Sequence, residues 1–408
     1  MGLVVQKYGG SSVANPERIK KVADRVASTR KKGHSLVVVV SALGDTTDDL
    51  LELSRQVSKN PSHRELDMLM STGEQISVAL LAMALHEIGC DAISFTGGQV
   101  GIRTDSAYTR ARILEISTNR IREELEKKRV VIIAGFQGIS SQQEITTLGR
   151  GGSDLTAVAL AKALSADSCE IYTDVEGIFT TDPRVAKGAR KIKKISYEEM
   201  LELASSGAQV MQSRSIEVAG KFNIPIHVRS SFSDKEGTWI VKEDSSMEDV
   251  LIRGVSLNKN EAKVTVSGVP NRPGVAAGIF RALAKTGINV DMIIQNIGKS
   301  ADTDISFTVP KGESENAVRS LGALRGRLKF KEVSLDPNVA KVSVVGIGMR
   351  SHAGVAAAMF EALGKNGINI EMISTSEIKI SCIVKKPDGE KAVRTLHEEF
   401  KLGKKRKR

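Results

Sequence analysis

Cysteine is nearly absent from this chain of 408 residues: Cys90, Cys169 and Cys382 stand far apart, odd in number and without metal-ligand spacing. That excludes a disulfide framework and a structural zinc site. Aromatic residues make up only 4%, too few for the stacking platforms that bind single-stranded nucleic acid. No run approaches the roughly 18 consecutive apolar residues of a membrane helix. Residues 1–10 hold a short apolar patch before Lys7, not the charged start and long apolar core of a signal peptide. A reducing cytoplasm is the expected compartment. Charge is plentiful, with a formal net of +11, but the excess is spread along the chain apart from Lys404-Lys-Arg-Lys-Arg408. That end reads as a solvated tail, so neither nucleic acid nor a membrane is an expected partner.

What is present fills two or three domains at this length. Residues 1–242 alternate short β-branched runs with helical patterns, with candidate strands at 3–7, 36–40, 92–95, 130–134, 170–173 and 226–229. This rhythm predicts an α/β fold with a largely parallel sheet covered on both faces. Such sheets bind ligands outside the carboxyl ends of their strands.

The second half contains an internal repeat. Lys263-Val-Thr-Val-Ser-Gly268 matches Lys341-Val-Ser-Val-Val-Gly346, and Gly-Ile-Asn-Val-Asp-Met-Ile (287–293) matches Gly-Ile-Asn-Ile-Glu-Met-Ile (367–373). Two copies of one small domain follow, at 262–336 and 340–402. Each reads strand, helix, strand, strand, helix, and only the first ends in a fourth strand, near 328–335. A spare strand-like run at 249–257 follows a linker at 243–248, and it is expected to complete the second copy's sheet, since an unpaired edge invites aggregation. Residues 403–408 form the basic tail.

Five motifs carry chemistry, and each follows a strand or opens a helix. Thr146-Thr-Leu-Gly-Arg-Gly-Gly-Ser-Asp-Leu-Thr156 places Arg150, Gly151, Gly152, Ser153 and Asp154 at a helix start, where free N–H groups and the macrodipole favour an anion. Lys7 leaves a strand into Gly9-Gly10, where a lysine reaches a phosphate while glycine amides wrap it. Ser41 and Thr47 offer hydroxyls beside Gly44. Glu74 is expected in the first turn of an apolar helix starting at Thr72. Taken singly, each has a plain structural explanation: a strand-end lysine in solvent, a capped helix start, a carboxylate complementing the helix dipole. Residues 172–184 form a strand and a polar loop suited to a base, ribose and phosphates, or simply a loop with an Asp-Pro turn.

Together, Lys-Tyr-Gly-Gly-Ser-Ser-Val (7–13), Ser-Thr-Gly-Glu (71–74), Gly-Phe-Gln-Gly (135–138), Thr-Leu-Gly-Arg-Gly-Gly-Ser-Asp (147–154) and Tyr-Thr-Asp-Val-Glu-Gly-Ile (172–178) resemble the aspartate kinases of the amino-acid-kinase superfamily. The repeats resemble the paired ACT domains that follow the catalytic domain in that family. The resemblance implies a three-layer αβα catalytic domain followed by two ferredoxin-like βαββαβ domains. It implies phosphorylation of the β-carboxylate of L-aspartate by ATP with Mg²⁺, a chemistry that needs no general base because the acceptor is already ionised at neutral pH. By that resemblance Lys7 and Asp154 are catalytic. Thr47, Glu74, Arg150, Gly151, Gly152, Ser153 and Asp154 hold aspartate, with Arg150 on its α-carboxylate and Glu74 on its ammonium. Lys7, Tyr8, Gly9, Gly10 and Ser41 meet the nucleotide, as do Thr173, Asp174, Phe179, Asp182, Pro183 and Arg184.

For the ACT repeats the family implies lysine, threonine or both as feedback effectors. The residues implicated in the first copy are Asn271, Pro273, Gly274, Val275, Ile288, Asn289 and Gln295, and in the second His352, Ala353, Gly354, Val355, Asn369 and Ile370. Asn271 stands where similar enzymes often carry aspartate, and Ala353 replaces the proline its sister loop keeps at Pro273. Paired modules imply a homo-oligomer. Met247 is either an ordinary linker methionine or an internal start yielding a shorter regulatory subunit. Rival readings are another amino-acid kinase and a catalytically silent amino-acid sensor.

Overall fold

The computed structural model describes residues 2–208, 210–244, 250–297 and 302–403. Most of the expected linker, Met247 and the tail from Lys404 lie outside the described residues. The chain forms two compact units, one comprising Met1–Ile178, Lys191–Ala204 and Gln209–Asp244, the other Phe179–Arg190, Ser205–Ala208 and Ser245–Arg408.

The first unit is built on an eight-stranded sheet. β1 (Leu3–Tyr8), β2 (Ser35–Val40), β3 (Ala92–Phe95), β4 (Ile102–Thr104), β5 (Ile113–Ile116), β6 (Val130–Ala134), β7 (Gln137–Ile139), β8 (Ile145–Thr147), β9 (Ser168–Thr173), β10 (Lys194–Ser196), β11 (Ile226–Ser230) and β12 (Thr238–Val241) follow in chain order. The large sheet runs β10-β12-β11-β9-β1-β2-β6-β3, and β5-β4-β7-β8 form a second, smaller sheet. Neighbours in the large sheet are parallel except at β11–β12. The central strands are apolar throughout because both faces are covered, which leaves β6 and all but the first residue of β2 buried.

Alternation assigns the two faces. Val4, Tyr8, Leu36, Val38, Val40, Val130, Ile132 and Ala134 pack with the apolar stripes of α1 (Pro16–Lys31) and α3 (His63–Glu87) into one core. The opposite face, bearing Lys7, meets α5 (Gly152–Leu164). Between these helices lie α2 (Thr46–Val57) and α4 (Asn119–Glu126). Helix α3 is long and apolar enough to cross a bilayer by composition alone, with half of that stretch buried. Its buried face carries two carboxylates, Asp67 and Glu74. Glu74 therefore lies in the middle of a helix that starts at His63, not in the first turn of one starting at Thr72, and the helix dipole does not explain its presence.

In the second unit the repeats share one six-stranded antiparallel sheet. β13 (Gly254–Pro270), β14 (Ile293–Ile297), β15 (Asp302–Pro310), β16 (Glu332–Val345), β17 (Met372–Thr375) and β18 (Lys379–Lys385) are ordered β14-β15-β13-β16-β18-β17. β13 and β16 each serve both copies. Gly254–Asn258 pairs with Val345–Lys341 of the second copy, whereas Lys263–Ser267 pairs with Asp336–Glu332 of the first. The two cores stay separate, one around Ile279, Phe307 and Leu321, the other around Met359, Cys382 and Leu396. Equivalent residues cross between copies: Lys263 pairs with Glu371 of the second copy, and Lys341 with Asp291 of the first.

The boundary read at residue 242 does not hold throughout. Phe179–Arg190 belongs to the second unit because Val255 N donates to Thr180 O (2.8 Å), Thr180 Oγ1 and His397 Nε2 share a buried hydrogen bond (3.0 Å), and Arg190 Nε donates to Leu402 O (2.5 Å). Nothing in the local pattern of residues 179–190 signals these partners, which lie 75 to 217 positions away in the chain.

Candidate active site

Strand register gathers the motifs of the first unit. Tyr8 lies opposite Val40 and Tyr172, Val40 opposite Ala134, and Thr173 opposite Ser230. The loops beginning at Gly9, Ser41, Gly135 and Asp174 therefore leave the carboxyl edge side by side. Main-chain bonds tie them together: Gly9 N to Tyr172 O (3.2 Å), Ser41 N to Tyr8 O (3.1 Å), Gly44 N to Gly10 O (3.1 Å) and Gly135 N to Val40 O (3.0 Å). A Cβ on Gly10 would sit 2.8 Å from Gly44 O and 2.9 Å from Ala42 O, so glycine is what lets these two loops touch.

Beneath this floor Lys7 Nζ meets Asp154 Oδ1 at 2.6 Å, with side-chain exposures of 12% and 9%. Asp154 lies in the first turn of α5, where a carboxylate complements the helix dipole. The helix begins where the sequence places it: Gly151 is its N-cap, at φ 68°. A Cβ there would fall 1.6 Å from Gln212 Cγ. Ser153 is buried against Gly135, whose added Cβ would lie 2.7 Å from its Oγ.

Glu74 enters from α3. Its Oε1 accepts from Ala42 N at 3.2 Å, while Oε2 is buried and has no hydrogen-bond partner among the described residues. Burial pushes this carboxyl up to about 8. Gly73 packs so closely that a Cβ would be 2.8 Å from that of Ala42, which sets Glu74 beside the Gly10 loop. A buried oxygen without a donor is destabilising.

Arg150 is exposed and makes no ion pair among the described residues. Two residues that sequence reasoning missed hold the loop carrying it. Asp67, fully buried, accepts from Thr147 Oγ1 (2.6 Å), Thr147 N (2.9 Å) and Thr109 N (3.0 Å). Burial raises its carboxyl, opposed by these hydrogen bonds. Arg214 donates to Ala111 O (3.2 Å) and Leu148 O (3.3 Å). A signal for Asp67 existed: it lies seven positions before Glu74, two turns along the same helix face. Arg214 had none, since its partners are carbonyls far along the chain.

The remaining expected residues fall as follows. Ser41 and Thr47 are half-buried, with hydroxyls that make no side-chain hydrogen bond among the described residues. Thr173 Oγ1 donates to Asp174 Oδ1 at 3.0 Å. The Tyr8 ring is fully buried on the α1 face, stacked on Tyr172 at 4.7 Å between centroids; only its main chain is left to face a ligand. Phe179, Asp182, Pro183 and Arg184 belong to the second unit, where the Arg184 guanidinium holds the Asp182 carboxyl below its ordinary value. In the repeats, Gly274 (φ 90°) and Gly354 (φ 94°) cap equivalent helices. Asn271, Pro273, Asn289, Gln295, His352, Ala353 and Asn369 are exposed; Val275, Val355 and Ile288 are buried and Ile370 half-buried.

Residues 2–230 match the amino acid kinase family, and residues 264–323 and 342–400 each match the ACT domain. The chain belongs to the amino acid kinase family, in an arrangement that joins this domain to two ACT domains. Aspartokinases are among its full-length relatives. One from Mycolicibacterium smegmatis is 54% identical, covering 99% of this chain and 97% of its own. An aspartate kinase of Pseudomonas putida is 52% identical, covering 98% of each. Among solved structures, E. coli aspartokinase III in complex with aspartate and ADP superimposes with a TM-score of 0.83 at 27% identity, over 97% of this chain and 99% of that one. The same enzyme with lysine and aspartate gives 0.78, also at 27% identity, over 98% and 99%.

Proposed function

We propose that the protein transfers the γ-phosphoryl group of ATP to the β-carboxylate of L-aspartate, giving 4-phospho-L-aspartate and ADP. The observation that carries this reading is the buried, half-partnered carboxylate of Glu74 beside the glycine loop of Lys7. It suits the ammonium of an amino acid next to a phosphate cradle. The acceptor carboxylate is already ionised, so the residues have to overcome repulsion between two anions and position them. Lys7 and the amides of Gly9 and Gly10 neutralise the phosphates. Asp154 holds Lys7 in place. Arg150, which meets no carboxylate among the described residues, takes the α-carboxylate through its fork of donors.

Mg²⁺ enters with ATP, bound to its phosphates. Asp154, which pairs with Lys7, and Asp174, which follows β9, are the carboxylates that would hold it. When bound, the ion adds charge neutralisation to that of Lys7. Phe179, Asp182, Pro183 and Arg184 are proposed nucleotide contacts on the family resemblance. Lysine, threonine or both are the proposed effectors of the ACT repeats, with the aspartate-derived amino acids as the pathway served, a cytoplasmic location and a homo-oligomer as the working state. The test is MgATP-dependent aspartyl hydroxamate formation from L-aspartate: turnover with aspartate and none with glutamate supports the assignment, and a folded sample without turnover removes it.

A further inference from the structure

On the α1 face of the large sheet, opposite the face that carries Lys7 and Asp154, lies a separate cavity of about 530 Å³. Its size falls within the range of small-molecule sites, roughly 300–1,000 Å³. Arg18, Lys21, Arg25, Lys32 and Arg229 line it against only two carboxylates, Asp24 and Asp234. The floor is a partly buried hydrogen-bond network. Tyr172 OH donates to Glu170 Oε2 (3.0 Å), Gln6 Nε2 donates to the same oxygen (2.8 Å), and Arg229 Nη1 donates to Glu170 Oε1 (3.2 Å). Arg25 and Arg229 both lie over the Tyr172 ring, at 5.1 and 5.5 Å from its centre.

Two observations point to an anion site. Arg229 meets Glu170 and Tyr172 through Nη1 alone, and its Nη2 makes no hydrogen bond among the described residues. The partner of Arg25 is Asp234, whose side chain is 94% exposed, so this ion pair is solvated and readily displaced. Arg25 and Arg229 are thus held in place by stacking and by the floor, and although Glu170 pairs with Arg229 and Glu17 with Lys21, the lining keeps more cations than carboxylates. We propose that this cavity binds a small anion carrying two or more phosphoryl charges, clamped between Arg25 and Arg229. The cavity also reaches the phosphate loop: Arg18 Nη1 donates to Ser11 O at 2.6 Å, and Ser12 Oγ bonds Ser231 Oγ at 2.5 Å.

The test is calorimetric titration of inorganic pyrophosphate, without divalent metal and at low salt, into the full chain bearing Lys7→Ala, which weakens the loop on the other face. Saturable binding is expected to persist there. Arg229→Gln should weaken it at least tenfold. Because that change also unpairs Glu170, Arg25→Gln/Lys32→Gln is the fold-sparing partner, expected to weaken it at least fivefold with an unchanged circular dichroism spectrum. Loss of binding with Lys7→Ala alone, an affinity unmoved by Arg25→Gln/Lys32→Gln, or no saturable binding to the unmutated chain would each overturn the proposal.

Discussion

At the residue scale, Glu74 makes the sharpest statement. With its carboxyl near 8 in the ligand-free protein, it is mostly protonated at pH 7 and must ionise to meet an ammonium. Aspartate binding at pH 7 should therefore release a proton, seen as a buffer-dependent enthalpy in calorimetry. The KM for aspartate should fall about tenfold per pH unit well below 8 and level off above it, and Glu74→Gln should remove that dependence. The sign for stability is opposite to the usual carboxylate. The folded pKa lies above the unfolded one of about 4.3, so the stabilising protonation is lost as pH rises towards 8, and denaturation of the ligand-free protein should show Glu74→Gln flattening this decline. Lys7→Ala removes the charge proposed to neutralise the transferring group and should lower kcat about 100- to 1,000-fold. Arg150→Ala should instead raise the aspartate KM roughly 10- to 100-fold, the worth of a charged hydrogen bond.

Elements set the positions that these residues need. Helix α5 begins on Gly151 in a left-handed conformation pressed against Gln212, so Gly151→Ala should cost about 1–3 kcal/mol and impair aspartate use more than overall fold, read by chemical denaturation beside kinetics. In the ACT sheet the crossed pairs of Lys263 with Glu371 and Lys341 with Asp291 tie each repeat to its sister. Lys341 also faces Glu261 at 3.4 Å, both side chains being less than a tenth exposed. Lys341→Ala leaves that carboxylate buried and unpaired, and should destabilise the second unit by about 3–5 kcal/mol. Lys263→Ala should cost less, because Lys385 also pairs with Glu371, at 2.9 Å.

For the whole molecule, the two units set the expectation for regulation. The loop with the candidate nucleotide contacts Asp182 and Arg184 is bonded through Thr180 and Arg190 to the second ACT copy. The effectors proposed for the repeats would thus act on a unit that includes this loop. Lysine and threonine together are expected to suppress hydroxamate formation more than either alone, with a coupling of about 1–3 kcal/mol, or 5- to 150-fold. Equal activity with and without both would reject these effectors while leaving the catalytic assignment untouched.

Periodicity and glycine chemistry are local, and they were legible: the parallel strands of the first unit, the helix start at Gly151-Gly152, the internal repeat and the Lys7 loop could all be read from residue types in order. So could the candidacy of Glu74 and Asp154, though not their surroundings. The tertiary structure alone decided that Glu74 sits mid-helix with one oxygen unpartnered, that Asp67 and Arg214 brace the arginine loop, that Tyr8 turns away to stack on Tyr172, and that residues 179–190 belong with the second unit. Each of these depends on groups far apart in sequence meeting in space. A chain's local pattern sets what an element is, whereas burial and hydrogen-bond partnership are properties of the packed whole.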